Sequence, residues 1–178
     1  MISARRHGVI ASRWLVAALV TVSITACGSS SSKGTAKAAT DVTVTAADGS
    51  PTTLSKLKGT PLVVNMWATW CHPCVNEMPA FDAVASSIGS GVKIVGVNVA
   101  DDAAAASAFA TKLGVHYPQY TDPDGNLSTA FDVSNLPATA FIAADGTVLE
   151  VHSGAFTADS LKAAIEQHFP GATGGTNK

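Results

Sequence analysis

The chain has 178 residues, 47% of them apolar and only 13% charged, with a formal net charge of −2. That length suits one domain with extensions, and that composition supplies a core and excludes general disorder. No basic stripe runs through it, so there is no case for a nucleic-acid binder.

The first 26 residues read as an export signal. Arg5, Arg6 and Arg13 make a positive start, and Trp14 to Ile24 is an apolar run. At 11 residues that run is well short of the roughly 20 that span a bilayer. The small residues Thr25-Ala26 then precede Cys27. Ile24-Thr25-Ala26-Cys27 resembles the bacterial lipobox, in which the cysteine is lipidated after cleavage. The resemblance implies a protein held to the membrane through Cys27 and facing its extracytoplasmic side. Arg5-Arg6 hints at twin-arginine export, but the flanking residues fit that route poorly. Without residues 1–26, eight basic residues face thirteen acidic ones, a formal charge of −5. That argues against polybasic attraction to anionic lipid and leaves the lipid as the anchor. With Cys27 acylated, Cys71 and Cys74 are the remaining thiols, and a lone pair in an oxidising compartment is a working pair.

Residues 27–40, rich in Ser, Gly, Thr and Ala, read as a flexible tether. Val42 and Val44, then Thr52 and Leu54, flank Asp48-Gly49, a hairpin signal. Ser55 to Lys58 is a short turn closing at Gly59. Leu62 to Ala68 is a nearly continuous apolar run, the pattern of a strand buried on both faces. From Cys74 to about Ile88 the spacing of Met78, Phe81, Ala85 and Ile88 is helical. Pro79 lies inside that helix, where its missing N–H predicts a kink. Gly89 and Gly91 end it, and Val92 to Val99 is a second buried strand.

Asp101-Asp102 caps a helix from about Ala103 to Leu113, with Phe109 and Leu113 inward. Tyr117 to Tyr120 is a weak strand, Asp122 to Gly125 a turn, and Leu127 to Phe131 a short helix. Thr139 to Ala143 and Val148 to His152 form a second hairpin around Asp145-Gly146. Thr157 caps a last helix to about His168, with Leu161, Ala164, Ile165 and His168 on one face. Residues 170–178 read as a disordered tail. Alternating strands and helices predict an α/β fold, a mixed sheet with helices on both sides, over residues 41–169.

The chemistry centres on Trp70-Cys71-His72-Pro73-Cys74. Two cysteines two residues apart, between a strand and a helix, read as a redox pair. The helix N-terminus carries unpaired N–H groups and partial positive charge, which lowers the pKa of a thiol placed there. Cys71, at the helix start, is the expected attacking thiolate and Cys74 the resolving thiol. Pro73 has no N–H and a fixed φ, which suits a helix start. His72 either places a donor near Cys71, making the disulfide more oxidising, or points into solvent. Zinc is the competing reading, but it needs four ligands and no second paired motif exists. His116, His152 and His168 have no partners at ligand spacing.

The stretch from Val63 to Pro79, with its W-C-x-P-C segment, Glu77 and Pro79, resembles the TlpA/ResA/DsbE group of membrane-anchored thioredoxin-like proteins. The likeness continues through Asn135-Leu136-Pro137-Ala138-Thr139 and covers roughly residues 41–169. It implies a thioredoxin-like fold with an N-terminal β-hairpin and a central αβ insertion near Asp101 to Tyr120. It also implies that Glu77 is an acid/base beside the cysteines. By the same likeness Pro137 is a cis-proline facing the cysteines, leaving the Leu136 backbone free to pair with a substrate strand. Trp70 is expected at the docking surface and Trp67 in the core. Thioredoxins proper carry a buried Asp where this chain has Asn65. Asn cannot relay a proton, so the acid/base role shifts to Glu77.

These features predict a thiol–disulfide oxidoreductase whose cysteines carry the electrons, with no metal or organic cofactor required. Its partners would be exported protein thiols or disulfides and a membrane electron carrier. The resemblance leaves direction open. One branch reduces apocytochrome c and another oxidises secreted proteins; His72 leans toward the oxidant and Glu77 toward the reductant. A copper-delivery lipoprotein using the same cysteines is the alternative from another class, though no Met-rich or distal His motif completes such a site. A peroxidase of the peroxiredoxin type fits less well, because its nucleophile sits in a different context.

Overall fold

The computed structural model describes residues 39–172. The expected export signal, Cys27, the expected tether up to residue 38 and the expected tail from residue 173 lie outside the described residues. The elements are β1 (Thr43–Ala46), β2 (Pro51–Thr53), a 3-10 turn (Leu54–Leu57), β3 (Leu62–Trp67), α1 (His72–Ser87), β4 (Lys93–Val99), α2 (Ala103–Lys112), β5 (Gln119–Asp122), α3 (Asn126–Ala130), β6 (Ala138–Ile142), β7 (Val148–Ser153) and α4 (Ala158–His168).

The described strands make one seven-stranded sheet in the order β2-β1-β5-β4-β3-β6-β7. β3, β4 and β5 run parallel, β6 pairs antiparallel with β3, and β7 pairs antiparallel with β6. β1 pairs antiparallel with both β2 and β5. Every residue of β3 is buried, as its apolar run predicts. Side chains alternate across a strand, and the core divides accordingly. Val64 and Met66 of β3, with Val95, Val97 and Val99 of β4, face one cluster that Ala39, Val44, Leu54, Leu127 and Phe131 complete. Val63, Ile94 and Phe141 face the other, closed by Phe81 and Val84 of α1, by Ile88 at its C-cap, and by Leu161 and Ile165 of α4. Helices therefore cover both faces. Each such buried Phe, Leu or Val contributes about 1.5–3 kcal/mol of burial.

Several details differ from the sequence reading, each for a local reason. Ala39 and Thr40, grouped with the tether by composition, are buried, and the Thr40 carbonyl accepts from Ser55 N at 2.9 Å. α1 begins at His72, because Cys71 itself is the N-cap, and it continues through Pro79 to Ser87. In α2 the fully buried face is Ala106 and Ala110, while Phe109 and Leu113 are half-buried at its margin. Asp102 alone caps that helix, accepting from Ala105 N at 2.7 Å. β5 starts at Gln119 and not at Tyr117, because Tyr117 turns into the buried interior. Thr157 and Ser160 form a reciprocal capping box at α4.

Candidate active site

The C-terminal ends of β3, β4 and β5 and the start of β6 meet at one end of the sheet. β3 delivers Ala68, whose carbonyl accepts from Cys71 N at 3.1 Å. Cys71 leaves the strand in extended conformation and caps α1, with its Sγ accepting from Cys74 N at 3.3 Å. The sulfur thus lies where unpaired N–H groups and the helix dipole favour negative charge. Cys71 and Cys74 are joined as a disulfide, with Cα atoms 5.3 Å apart. Both cysteines are buried, Cys71 5% exposed and Cys74 0%. Pro73 occupies the first turn, where no N–H is needed. His72 is exposed.

The preceding loop is tied to the β4–α2 junction. Asp101 accepts from Thr69 N at 2.6 Å and Asn98 Nδ2 at 3.0 Å through Oδ2, and from Asp102 N at 2.9 Å through Oδ1. Burial acts to raise the Asp101 pKa, but these bonds outweigh it and hold the carboxyl below its ordinary value. Trp70 is 62% exposed, and its Nε1 donates to the Ala100 carbonyl at 3.4 Å. Trp70, Val99, Ala100, Val133 and Leu136 line a cleft of about 310 Å³. Pro137 is buried and the Leu136–Pro137 bond is cis, as the family resemblance implied. Trp67 is core, with Nε1 donating to Gln119 Oε1 at 3.0 Å.

One turn below Cys74 on the same helix, Glu77 is 3% exposed. Residues three apart share a helix face, so Glu77 lies on the same buried face of α1 as Cys74. Its Oε1 accepts from Asn65 Nδ2 at 2.7 Å and its Oε2 from Phe156 N at 2.8 Å. Asn65 is held in turn by Tyr117, whose hydroxyl donates to Asn65 Oδ1 at 3.1 Å. Burial pushes the Glu77 carboxyl up to about 7, the two N–H donors offsetting part of the rise. A carboxyl poised near neutrality exchanges a proton readily in either direction.

The structure therefore gathers Trp70, Cys71, Pro73, Cys74, Glu77, Leu136 and Pro137 at one end of the sheet. The remaining histidines have other contacts. His116 pairs with Asp82 at 3.1 Å, His168 with Glu150 at 2.8 Å, and the His152 ring packs 4.3 Å from Phe156. Three contributors had no local signal: Tyr117, the Phe156 backbone and the Asp101 clamp. Their partners lie 52, 79 and 32 residues away in sequence.

A thioredoxin-like sheet carrying a C-x-x-C disulfide at the start of its first long helix defines a thiol–disulfide oxidoreductase. The chain belongs to the Redoxin family, whose model matches residues 34–165. It is 37% identical over 123 residues to the thiol-disulfide oxidoreductase ResA of Bacillus subtilis (strain 168), covering 68% of this chain and 69% of that protein. Among solved structures it resembles MTB DsbF, at 32% identity and a TM-score of 0.67, over 73% of this chain and 96% of that one. It also resembles a secreted Mycobacterium tuberculosis disulfide oxidoreductase homologous to E. coli DsbE, at 28% identity and a TM-score of 0.65, over 73% and 98% of the two chains. The copper-delivery alternative gains no support from these relatives.

Proposed function

We propose that this protein is an exported, lipid-anchored reductant of protein disulfides, with Glu77 as the acid/base of the exchange. The observation that carries the reading is the buried Glu77 beneath Cys74, held by Asn65 and Phe156. A carboxylate in that place opposes a second buried negative charge on Cys74. It therefore disfavours the dithiolate and makes the disulfide the more stable partner, the property of a reductant.

In the reducing direction, thiolate Cys71 attacks one sulfur of a substrate disulfide. The S–S bond breaks, the released substrate sulfur leaves as a thiolate, and a mixed disulfide joins Cys71 to the substrate. Glu77 then takes the proton from the Cys74 thiol. The Cys74 thiolate attacks Cys71 Sγ, closing the intramolecular disulfide and expelling the second substrate sulfur. Two electrons pass to the substrate, and a membrane electron carrier must restore the dithiol. Trp70 and Leu136 receive the segment around the substrate cysteine in the cleft between them.

Export and anchoring rest on the basic start, the apolar run to Ile24 and Cys27 within its lipobox-like motif. The secreted Mycobacterium tuberculosis relative favours the same side of the membrane. The deciding experiment is the reduction potential of Cys71–Cys74, equilibrated in glutathione buffers. A value near about −270 mV, the thioredoxin range, is expected. A value of about −120 to −180 mV would make the protein an oxidant and refute the proposed direction.

A further inference from the structure

The polar chain behind the active site has a directional problem. Glu77 receives N–H donors on both oxygens, Asn65 Nδ2 on one and Phe156 N on the other. That arrangement suits a carboxylate, whose oxygens only accept. Phe156 N is fixed in the backbone, but an Asn amide can turn over and present Oδ1, an acceptor, where Nδ2 had been. Which end of the amide meets Glu77 is therefore set by what lies behind Asn65.

Behind it lies Tyr117, whose hydroxyl donates to Asn65 Oδ1 at 3.1 Å. With Oδ1 held there, Nδ2 is the end that meets Glu77, as observed. A phenylalanine at position 117 would leave Oδ1 buried and unpaired and would no longer select that orientation.

We propose that Tyr117 is a positioning residue for the exchange reaction: its hydroxyl holds the Asn65 amide with Nδ2 on Glu77, and so stabilises the Glu77 carboxylate. The proposal rests on Glu77 being the acid/base and extends it to Asn65 and Tyr117, which act through Glu77. The charged state gains more from the relay, because a hydrogen bond to a carboxylate is stronger than a neutral one and a donor behind Asn65 reinforces it. Removing the hydroxyl therefore favours the protonated carboxyl.

Other titratable groups face this pocket. Cys74 lies on α1 itself, Asp82 of α1 acts on Tyr117, and His152 of β7 packs on Phe156. The readout must be specific to Glu77, and the carboxyl-carbon resonance of the ¹³C-labelled side chain in the full-length oxidised protein supplies that. Tyr117→Phe is expected to raise the Glu77 midpoint by about half a pH unit or more. The pH profile of exchange should move with it. In the wild type, the Asn65 side-chain amide resonances should titrate with the same midpoint as Glu77, a test that needs no variant.

An unchanged Glu77 midpoint in Tyr117→Phe, or Asn65 amide signals blind to the Glu77 titration, would overturn the proposal. The acid/base reading fails separately, if Glu77→Gln leaves the exchange pH profile as in the wild type. In the double variant Tyr117→Phe, Glu77→Gln the profile should match that of Glu77→Gln alone, since no proton remains for the relay to govern. A further shift would assign Tyr117 a merely structural role.

Discussion

Replacing Glu77 with Gln should change how stability depends on pH, by an amount that follows from the site. The carboxyl rises from an ordinary 4.5 to about 7 because it is buried. Between these values the folded chain holds a proton that the unfolded chain has released. Stability therefore falls as pH rises through that window, by about 1.4 kcal/mol per pH unit. Over the whole window the loss is about 3 kcal/mol, and it is complete above the folded-state value. Gln cannot ionise, so the variant escapes it.

The fit is also favourable, because a reversed Asn65 amide presents Oδ1 to the Gln nitrogen while Phe156 N still meets the remaining oxygen. Urea denaturation of the oxidised protein, at steps from pH 4 to 8, measures the effect. Subtracting wild type from variant cancels the other titrating groups. The variant should gain about 3 kcal/mol relative to wild type across the range, which corresponds to a midpoint shift of about 1–3 M urea. Parallel curves, with a constant difference from pH 4 to 8, would refute the burial argument. They would show that Glu77 is already solvated or fully compensated in the fold.

Two more predictions concern the cysteines and the loop before them. Cys71→Ser should abolish disulfide exchange, whereas Cys74→Ser should accumulate mixed disulfides with substrate, visible on non-reducing gels. Full turnover by Cys74→Ser would reverse the assigned roles. Asp101→Ala removes the acceptor for Thr69 N, Asn98 Nδ2 and Asp102 N together. It should cost about 1–3 kcal/mol in urea denaturation and slow exchange by loosening the Thr69–Cys71 loop. An exchange rate equal to wild type would show that the clamp serves the fold alone.

How far the sequence reached depends on the range of the interactions involved. The Cys71–Cys74 pair was legible because its chemistry is local. Three residues and a helix start place the sulfurs together, and the dipole acts within one turn. Local rules also placed the Thr157 cap, the Asp145-Gly146 hairpin turn and the buried character of β3. In each, the deciding contacts lie within a few residues. The resemblance to the TlpA/ResA/DsbE group supplied Glu77 and the cis Leu136–Pro137 bond, which periodicity alone would have left as a surface acid and an ordinary proline.

Only the tertiary structure decided what surrounds Glu77. Its burial depends on α1 packing against the sheet. Its two donors come from β3 and from the loop before α4, and the phenol behind Asn65 comes from the segment entering β5. A pKa near neutrality is set by desolvation summed over all of these elements, and a linear pattern carries no such sum. The same holds for Asp101, whose place beside Asp102 reads as a helix cap. Its carboxylate instead reaches back across the sheet end to Thr69. The short-range code specified which residues react, and long-range packing specified where their protons and their positions are held.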